Sequence, residues 1–229
     1  VQAGGYRRFV GVCGAQMGKT DGMLDLIGSR LDQRPSPIIY VGPTMDFLTD
    51  QFEPRVMGLL DEAESLKNKV VRGRRMKKTL KWVAGVRLRL AHAGSSTALK
   101  SDPAALALID EYDEMAGGVR RQGDVLGLVE ARGETYADFA TVITSTPSRG
   151  LLEVELDEES GLEFWARNKQ GEDIESPIWS LWQEGTRHHW CWPCRHCSEF
   201  FVPRFKQLVY PKNATPTPAK RAAAVASPH

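Results

Sequence analysis

The chain has 229 residues, of which 41% are hydrophobic and 26% charged, and its formal net charge is +1. These are ordinary values for a globular protein of one large domain, or of one domain with a small appendage. No run of about 18 apolar residues occurs, which excludes a membrane-spanning helix, and Val1 to Thr20 lacks the apolar core and cleavage site of a signal peptide.

Phe9-Val10-Gly11-Val12 reads as a buried strand leading into Gly14-Ala15-Gln16-Met17-Gly18-Lys19-Thr20, and Met23, Leu24, Leu26 and Ile27 mark the helix that follows. A strand, a tight loop ending in Gly-Lys-Thr and a helix form a P-loop, in which backbone N–H groups point at the phosphates of a nucleoside triphosphate such as ATP. Lys19 would supply charge to the β- and γ-phosphates, and the Thr20 hydroxyl would coordinate Mg²⁺. The usual spacing asks for glycine at position 13, where the small Cys13 stands, so the loop is a variant. The plain alternative is an ordinary strand-to-helix turn carrying an exposed lysine.

Pro35-Ser36-Pro37 makes a turn, and Ile38-Ile39-Tyr40-Val41 is an apolar strand of parallel-sheet type ending at Gly42-Pro43-Thr44. Phe47, Phe52, Val56, Leu59 and Leu60 lie near helical spacing, with a break expected at Pro54. From Lys67 to Arg89 there are ten Lys/Arg and no Asp or Glu. Within this stretch Arg72, Arg74, Arg75, Lys77, Lys78 and Lys81, beside Trp82, form a candidate track for a DNA backbone. A solvated charge run is the competing reading. Thr79 to Ala93 alternates as a hairpin that turns at Ala84-Gly85 and sets Arg87 and Arg89 on a solvated face.

Ala104 to Ile109 is a third core strand that runs into Asp110-Glu111. Asp110 would hold Mg²⁺ and Glu111 would orient and deprotonate the attacking water, the division of labour phosphoryl transfer requires. The alternative is a helix that opens with acidic residues. Asp113 and Glu114 read as solvated helix residues. Val125, Leu128 and Val129 form a helical stripe, and Ala140 to Pro147 is a fourth strand. At its tip Thr144, Ser145 and Thr146 would place hydroxyls beside the γ-phosphate and couple hydrolysis to movement; simple β-propensity and a turn explain them equally well. Strands alternating with helices imply an α/β fold, a P-loop NTPase with a mainly parallel sheet flanked by helices and ligands at the strands' carboxyl ends.

After Leu151 the pattern becomes acidic and irregular, with Glu153, Glu155, Asp157, Glu158 and Glu159 and tryptophans at 165, 179, 182, 190 and 192. The four cysteines, Cys13, Cys191, Cys194 and Cys197, do not form a secreted disulfide framework and fit a reducing, cytosolic setting. Cys194 and Cys197 have the spacing of a zinc knuckle, which Cys191 and His188 or His189 could complete in cramped fashion. Free thiols are the alternative. The expected divisions are a P-loop ATPase core over 1–150, an acidic Trp-containing connection over 151–187, a Cys knuckle (half of a zinc ribbon) over 188–212 and a disordered tail over 213–229.

With these motifs in order, the chain resembles the large terminase subunits of tailed phages, in the lambda-type branch. The resemblance rests on Gly14 to Thr20, Val41-Gly42-Pro43-Thr44, Ile109-Asp110-Glu111-Tyr112-Asp113, Ser145-Thr146-Pro147 and Pro193 to Glu199, and covers about residues 9 to 212. It implies an ATP-driven, Mg²⁺-dependent motor that packages double-stranded DNA in the bacterial host cytoplasm. A small terminase subunit, a portal and further copies of the chain are its implied partners. By this likeness Lys19, Thr20, Asp110 and Glu111 are the ATPase residues, and Thr144 to Thr146 the coupling motif. The sequence departs from the family pattern in several places. Ser198 replaces a common glycine, the second Cys pair is lacking, and the upstream adenine-contacting segment is missing or cut short. No nuclease domain is expected in this length. No arginine lies in the P-loop, which leaves Arg132 and Arg149 as candidates for an arginine finger. Another P-loop helicase or translocase, or a degenerate fragment that only binds DNA or a partner, are the other readings.

Overall fold

The computed structural model describes residues 5–73, 76–115, 125–148, 154–158, 163–165 and 174–203. The chain divides into two compact units, Val1–Gly185 and Thr186–His229.

In the first unit the elements in chain order begin with β1 (Arg8–Val12), α1 (Lys19–Gln33) and β2 (Ile38–Gly42). A π-helical segment, Phe47–Phe52, runs directly into α2 (Glu53–Glu62), followed by the single-turn α3 (Glu64–Lys67). Next come β3 (Leu80–Val83), β4 (Val86–His92), α4 (Ser96–Ser101), β5 (Leu106–Asp110) and α5 (Tyr112–Met115). α6 (Val125–Glu130), β6 (Ala140–Ser145), the short antiparallel pair β7 (Val154–Leu156) and β8 (Glu163–Trp165), and α7 (Pro177–Glu184) complete it.

Among the described residues six strands form one sheet in the order β1-β6-β5-β2-β4-β3. All neighbours are parallel except β3 and β4. β3 and β4 are the expected hairpin, whose two-residue turn holds Ala84 at φ 50° and Gly85 at φ 78°, the left-handed pair that matches strand twist. Side-chain alternation along β2 and β5 builds two cores, one on each face. Ile38, Tyr40, Leu106 and Leu108 pack with Met23, Ile27 and Leu31 of α1 and with Phe52, Val56 and Leu60. Ile39, Val41, Ala107 and Ile109 pack with Leu99 of α4, Val125 and Val129 of α6 and Ile178 of α7. The result is a three-layer α/β sandwich in which β2 and β5 are buried throughout, as their unbroken apolar sequences require. Part of the segment expected to be a connection, α7, is therefore a core helix.

One expectation is corrected at β1. It is an edge strand, paired only with β6, and none of its residues is fully buried. Its apolar sequence is accounted for by partial cover, with α7 packing on it. Pro54 does not break a helix in mid-course. It occupies the first turn of α2, where its missing N–H leaves no bond unmade, and the preceding π-helical segment absorbs the change of register.

In the second unit Trp192–Pro193 (β9) pairs antiparallel with Phe200–Phe201 (β10), closing the turn that carries Cys194 and Cys197. The tail expected over 213–229 lies outside the described residues.

Candidate active site

Because β1, β2, β5 and β6 run parallel, their carboxyl ends bring together loops from four distant parts of the sequence. Val12 is in register with Ser145, and Asp110 with Thr144. The Cys13 N–H donates to the Ser145 carbonyl at 3.1 Å, so the P-loop starts from a fixed point on β6. Burial pushes the Cys13 thiol up from its ordinary range, so this side chain fills space as a neutral thiol.

The loop turns through Gln16 at φ 58° and Gly18 at φ 79°. Gly18 is the N-cap of α1, and its left-handed backbone lets Lys19 begin the helix at once. The Lys19 ammonium lies 2.8 Å from Glu111 Oε1 and donates to Thr146 Oγ1 at 3.3 Å. From the next position the Thr20 hydroxyl donates to Asp110 Oδ2 at 2.7 Å.

Asp110 is fully buried and saturated with donors. Oδ2 also accepts from the Tyr40 hydroxyl at 3.0 Å, while Oδ1 accepts from Thr144 Oγ1 at 2.9 Å and from the Glu111 N–H at 3.0 Å. Burial first, and then the charge of Asp110, hold the Tyr40 phenol far above its ordinary pKa, so it serves as a donor to the carboxylate. Tyr40 is fixed from behind by Phe52, stacked with ring centroids 3.5 Å apart. Glu111 adopts φ 56°, a conformation that costs a non-glycine residue about 1–3 kcal/mol and turns its side chain off the strand line toward Lys19.

The three hydroxyls at the tip of β6 meet three different partners. Thr144 bonds Asp110, Thr146 accepts from Lys19, and Ser145 Oγ accepts the Asp113 N–H at 3.1 Å. Asp113 itself corrects the sequence reading, because it is fully buried rather than solvated. Its carboxylate accepts from Ser176 Oγ at 2.7 Å, the Ile178 N–H at 2.8 Å and the Ser148 N–H at 3.1 Å. It thereby pins the start of α7 and the loop after β6 to the helical turn that follows Glu111. Glu114 is exposed, as expected.

Two clefts open at this end of the sheet. One of about 430 Å³ is bounded by the P-loop, Phe47, Gln51, Arg55 and Glu111. A second of about 600 Å³ lies between Lys19, Thr44, Glu114 and Thr146. Sequence reasoning missed Tyr40 and Arg55 here. Tyr40 carried a signal, as the one polar-tipped side chain in an otherwise apolar strand; Arg55 carried none that separated it from other helix-surface cations.

The basic track holds together less well. Lys81 is overturned as a DNA contact: it is 1% exposed, its ammonium pairs with Glu53 and it donates to the Lys77 carbonyl at 2.9 Å. Arg72 pairs with Asp61 at 2.5 Å, and Lys69 pairs with Asp32 at 2.8 Å. Arg87 and Arg89, expected to be solvated, both bind Asp102. The acids absent from the stretch come from α1, α2 and the segment after α4. Lys77 and Lys78 are exposed, while Arg74 and Arg75 lie outside the described residues.

Arg132 sits at the wrong end of the sheet for an arginine finger. Its carbonyl accepts the Ala104 N–H ahead of β5, and its guanidinium donates to the Lys100 carbonyl at 3.1 Å. Arg149 lies outside the described residues.

The cysteine turn is formed: Cys194 N–H donates to the Glu199 carbonyl at 2.8 Å, and Ser198, at φ 63°, donates its N–H to the Cys194 carbonyl at 2.9 Å. The backbone N–H groups of Cys197 and His196 lower the pKa of the Cys194 thiol. Zinc at Cys194 and Cys197 is nevertheless unsupported. Among the described residues no three His, Cys, Asp or Glu side chains converge to hold a metal, so Cys191, His188 and His189 do not complete a tetrahedral set.

Comparison with solved structures finds the HK97 bacteriophage large terminase, with a TM-score of 0.50 and 15% identity over 62% of this chain and 29% of that one. The ATPase domain of the Thermus phage P74-26 large terminase is also similar, with a TM-score of 0.45 and 14% identity over 65% of this chain and 62% of that one. This chain thus spans 29% of the HK97 protein's length, and at such identity the likeness concerns the fold. No curated protein matches the sequence. The family described as phage terminase large subunit gpA, ATPase domain, matches residues 1–229. With a P-loop, an Asp-Glu strand end and a hydroxyl-bearing strand tip converging at the carboxyl end of a mainly parallel sheet, the chain belongs to the gpA ATPase-domain family of phage terminase large subunits.

Proposed function

We propose that this chain is the Mg²⁺-dependent ATP-hydrolysing motor domain of a terminase large subunit, which drives double-stranded DNA into a capsid. The observation that carries the reading is the convergence of Lys19, Thr20, Asp110, Glu111 and Thr146 within one hydrogen-bonded cluster at the sheet's carboxyl end. ATP would lie along the P-loop with its phosphates against the loop N–H groups and the start of α1. Lys19 would exchange its contact with Glu111 for the β- and γ-phosphates. Glu111, so released, would orient a water molecule and accept its proton.

The oxygen donors suit Mg²⁺: Thr20 Oγ1 and Asp110 Oδ2 lie 2.7 Å apart, and an ion there would replace the hydrogen bond between them or reach Asp110 through a water ligand. Bound there, the ion would neutralise charge on the phosphate oxygens. Tyr40 and Thr144 keep the Asp110 carboxylate aimed at that position. Thr146, held by Lys19, and Ser145, held by Asp113, supply a route from phosphate contact to the loop after β6 and to α7. Double-stranded DNA, a small terminase subunit, the portal and further copies of the chain are the partners this function implies, in the cytoplasm of a bacterial host. No helix among the described residues is long and apolar enough to cross a membrane.

The test is ATP turnover with and without linear duplex DNA, in the parent chain and in Lys19→Ala. Turnover stimulated by DNA and abolished by the substitution supports the reading; turnover indifferent to Lys19 overturns the site.

A further inference from the structure

The P-loop contains a single cation, Lys19, yet the cleft it borders has a second. Arg55 projects from the first turn of α2 into the same cleft as Lys19, Asp21 and Glu111. Its helix is held in place from behind, where Val56 and Leu60 are fully buried and Phe52 stacks on Tyr40. The guanidinium crosses to α1 and pairs with Asp21, the residue after Thr20. Arg55 is 40% exposed and Asp21 70% exposed, so this pair is solvated and readily exchanged.

Asp21 lies in the first turn of α1, where a carboxylate occupies the region of positive potential that favours phosphate. A nucleoside triphosphate entering the cleft brings several negative charges beside that single one. The planar, five-donor guanidinium binds phosphate oxygens in pairs, which a lone carboxylate at a solvated site does not match. We propose that Arg55 is a phosphate-binding residue of the ATPase site, which leaves Asp21 for the terminal phosphates when nucleoside triphosphate binds. Asp21 is then its resting partner, and Arg55 supplies in cis the second cation that the P-loop lacks. This assignment rests on the ATPase reading given above.

The two ends of one ion pair make the test selective. ATP affinity and turnover are measured for the parent chain, Lys19→Ala, Arg55→Ala, Arg55→Lys and Asp21→Ala, with melting curves to confirm folding. Arg55→Ala is expected to weaken ATP binding about tenfold or more, as removal of a charge-assisted hydrogen bond does, and to slow turnover. Arg55→Lys restores part of the affinity, since charge returns without the planar fork. Asp21→Ala frees the guanidinium and is expected to tighten ATP binding. If the pair were only a tie between α1 and α2, both alanine variants would lose the same thing and behave alike. Equal effects of the two, or an Arg55→Ala chain that binds ATP as the parent does, overturn the assignment while the Lys19→Ala defect leaves the ATPase reading standing. A parent chain that neither binds nor hydrolyses ATP sinks both.

Discussion

Lys19 and Glu111 form an ion pair at 2.8 Å, so the cation proposed to bind phosphate and the carboxylate proposed to orient water hold one another across the cleft. Each group neutralises the other, and the Lys19 side chain is only 9% exposed. Glu111→Gln removes the proposed base and weakens the pair. Hydrolysis is expected to fall by roughly 10²–10⁴, the usual contribution of a general base, while ATP binds at least as tightly as in the parent. Lys19→Ala is expected to lose binding itself. Equilibrium binding and single-turnover hydrolysis, measured separately, distinguish the two; a Glu111→Gln chain with parental turnover would remove Glu111 from the mechanism.

Tyr40 offers a cleaner probe of Asp110 than Asp110 itself. Tyr40→Phe keeps the stack on Phe52 and deletes only the 3.0 Å hydrogen bond to Asp110 Oδ2. A buried hydrogen bond to a charged group contributes about 1.5–3 kcal/mol, so a lower melting temperature is expected. Asp110 is also left less firmly oriented, and turnover should need more Mg²⁺ to reach half its maximum. A variant that loses stability with an unchanged Mg²⁺ dependence would make Tyr40 a purely structural residue.

Asp113 joins three segments, and its removal is expected to be costly. In Asp113→Ala the hydroxyl of Ser176 and the N–H groups of Ile178 and Ser148 lose their acceptor. Ser176 and Ile178 are buried, whereas Ser148 is exposed and its N–H can turn to water. Stranding the two buried donors costs about 1–3 kcal/mol each, and relaxation of the α7 start lowers the total, so a loss of about 3 kcal/mol is expected. Glu114→Ala, one residue on and exposed, should fall within about 0.5 kcal/mol of the parent. Denaturant unfolding of both variants checks the contrast, and similar midpoints would deny Asp113 its role as a pin.

What could be read from the sequence, and what could not, divides by range. The apolar runs at Ile38 to Val41 and Leu106 to Ile109 need cover on both faces, so the parallel sheet and its helices follow from local pattern. The P-loop and Asp110-Glu111 are likewise local, because a strand end, a glycine and an acid suffice to mark them. Pairing across the fold left no local trace. Asp113 looks like any acid in an opening helical turn until Ser176, 63 residues later, is seen beside it. Lys81 looks like part of a free basic run until Glu53, 28 residues earlier, closes on it. The edge position of β1 is also invisible in Phe9-Val10-Gly11-Val12, since partial and complete cover select the same side chains.

The basic stretch can be separated into structural charges and the charges proposed to face DNA by the same logic. Lys81 is buried against Glu53, itself only 15% exposed at its side chain, so Lys81→Ala leaves a poorly solvated carboxylate unpaired. That variant is expected to lose stability and to leave the salt dependence of DNA binding unchanged in the molecules that fold. Lys77 and Lys78 are exposed on the same stretch, where they can meet phosphates. Replacing both with alanine is expected to keep the melting temperature and to flatten the slope of log K against log salt by up to about 0.9 for each phosphate no longer neutralised. Duplex DNA titrations at a series of salt concentrations measure the slope directly. An unchanged slope in the double variant would move the DNA interface away from this face, because counterion release registers every phosphate a lysine neutralises.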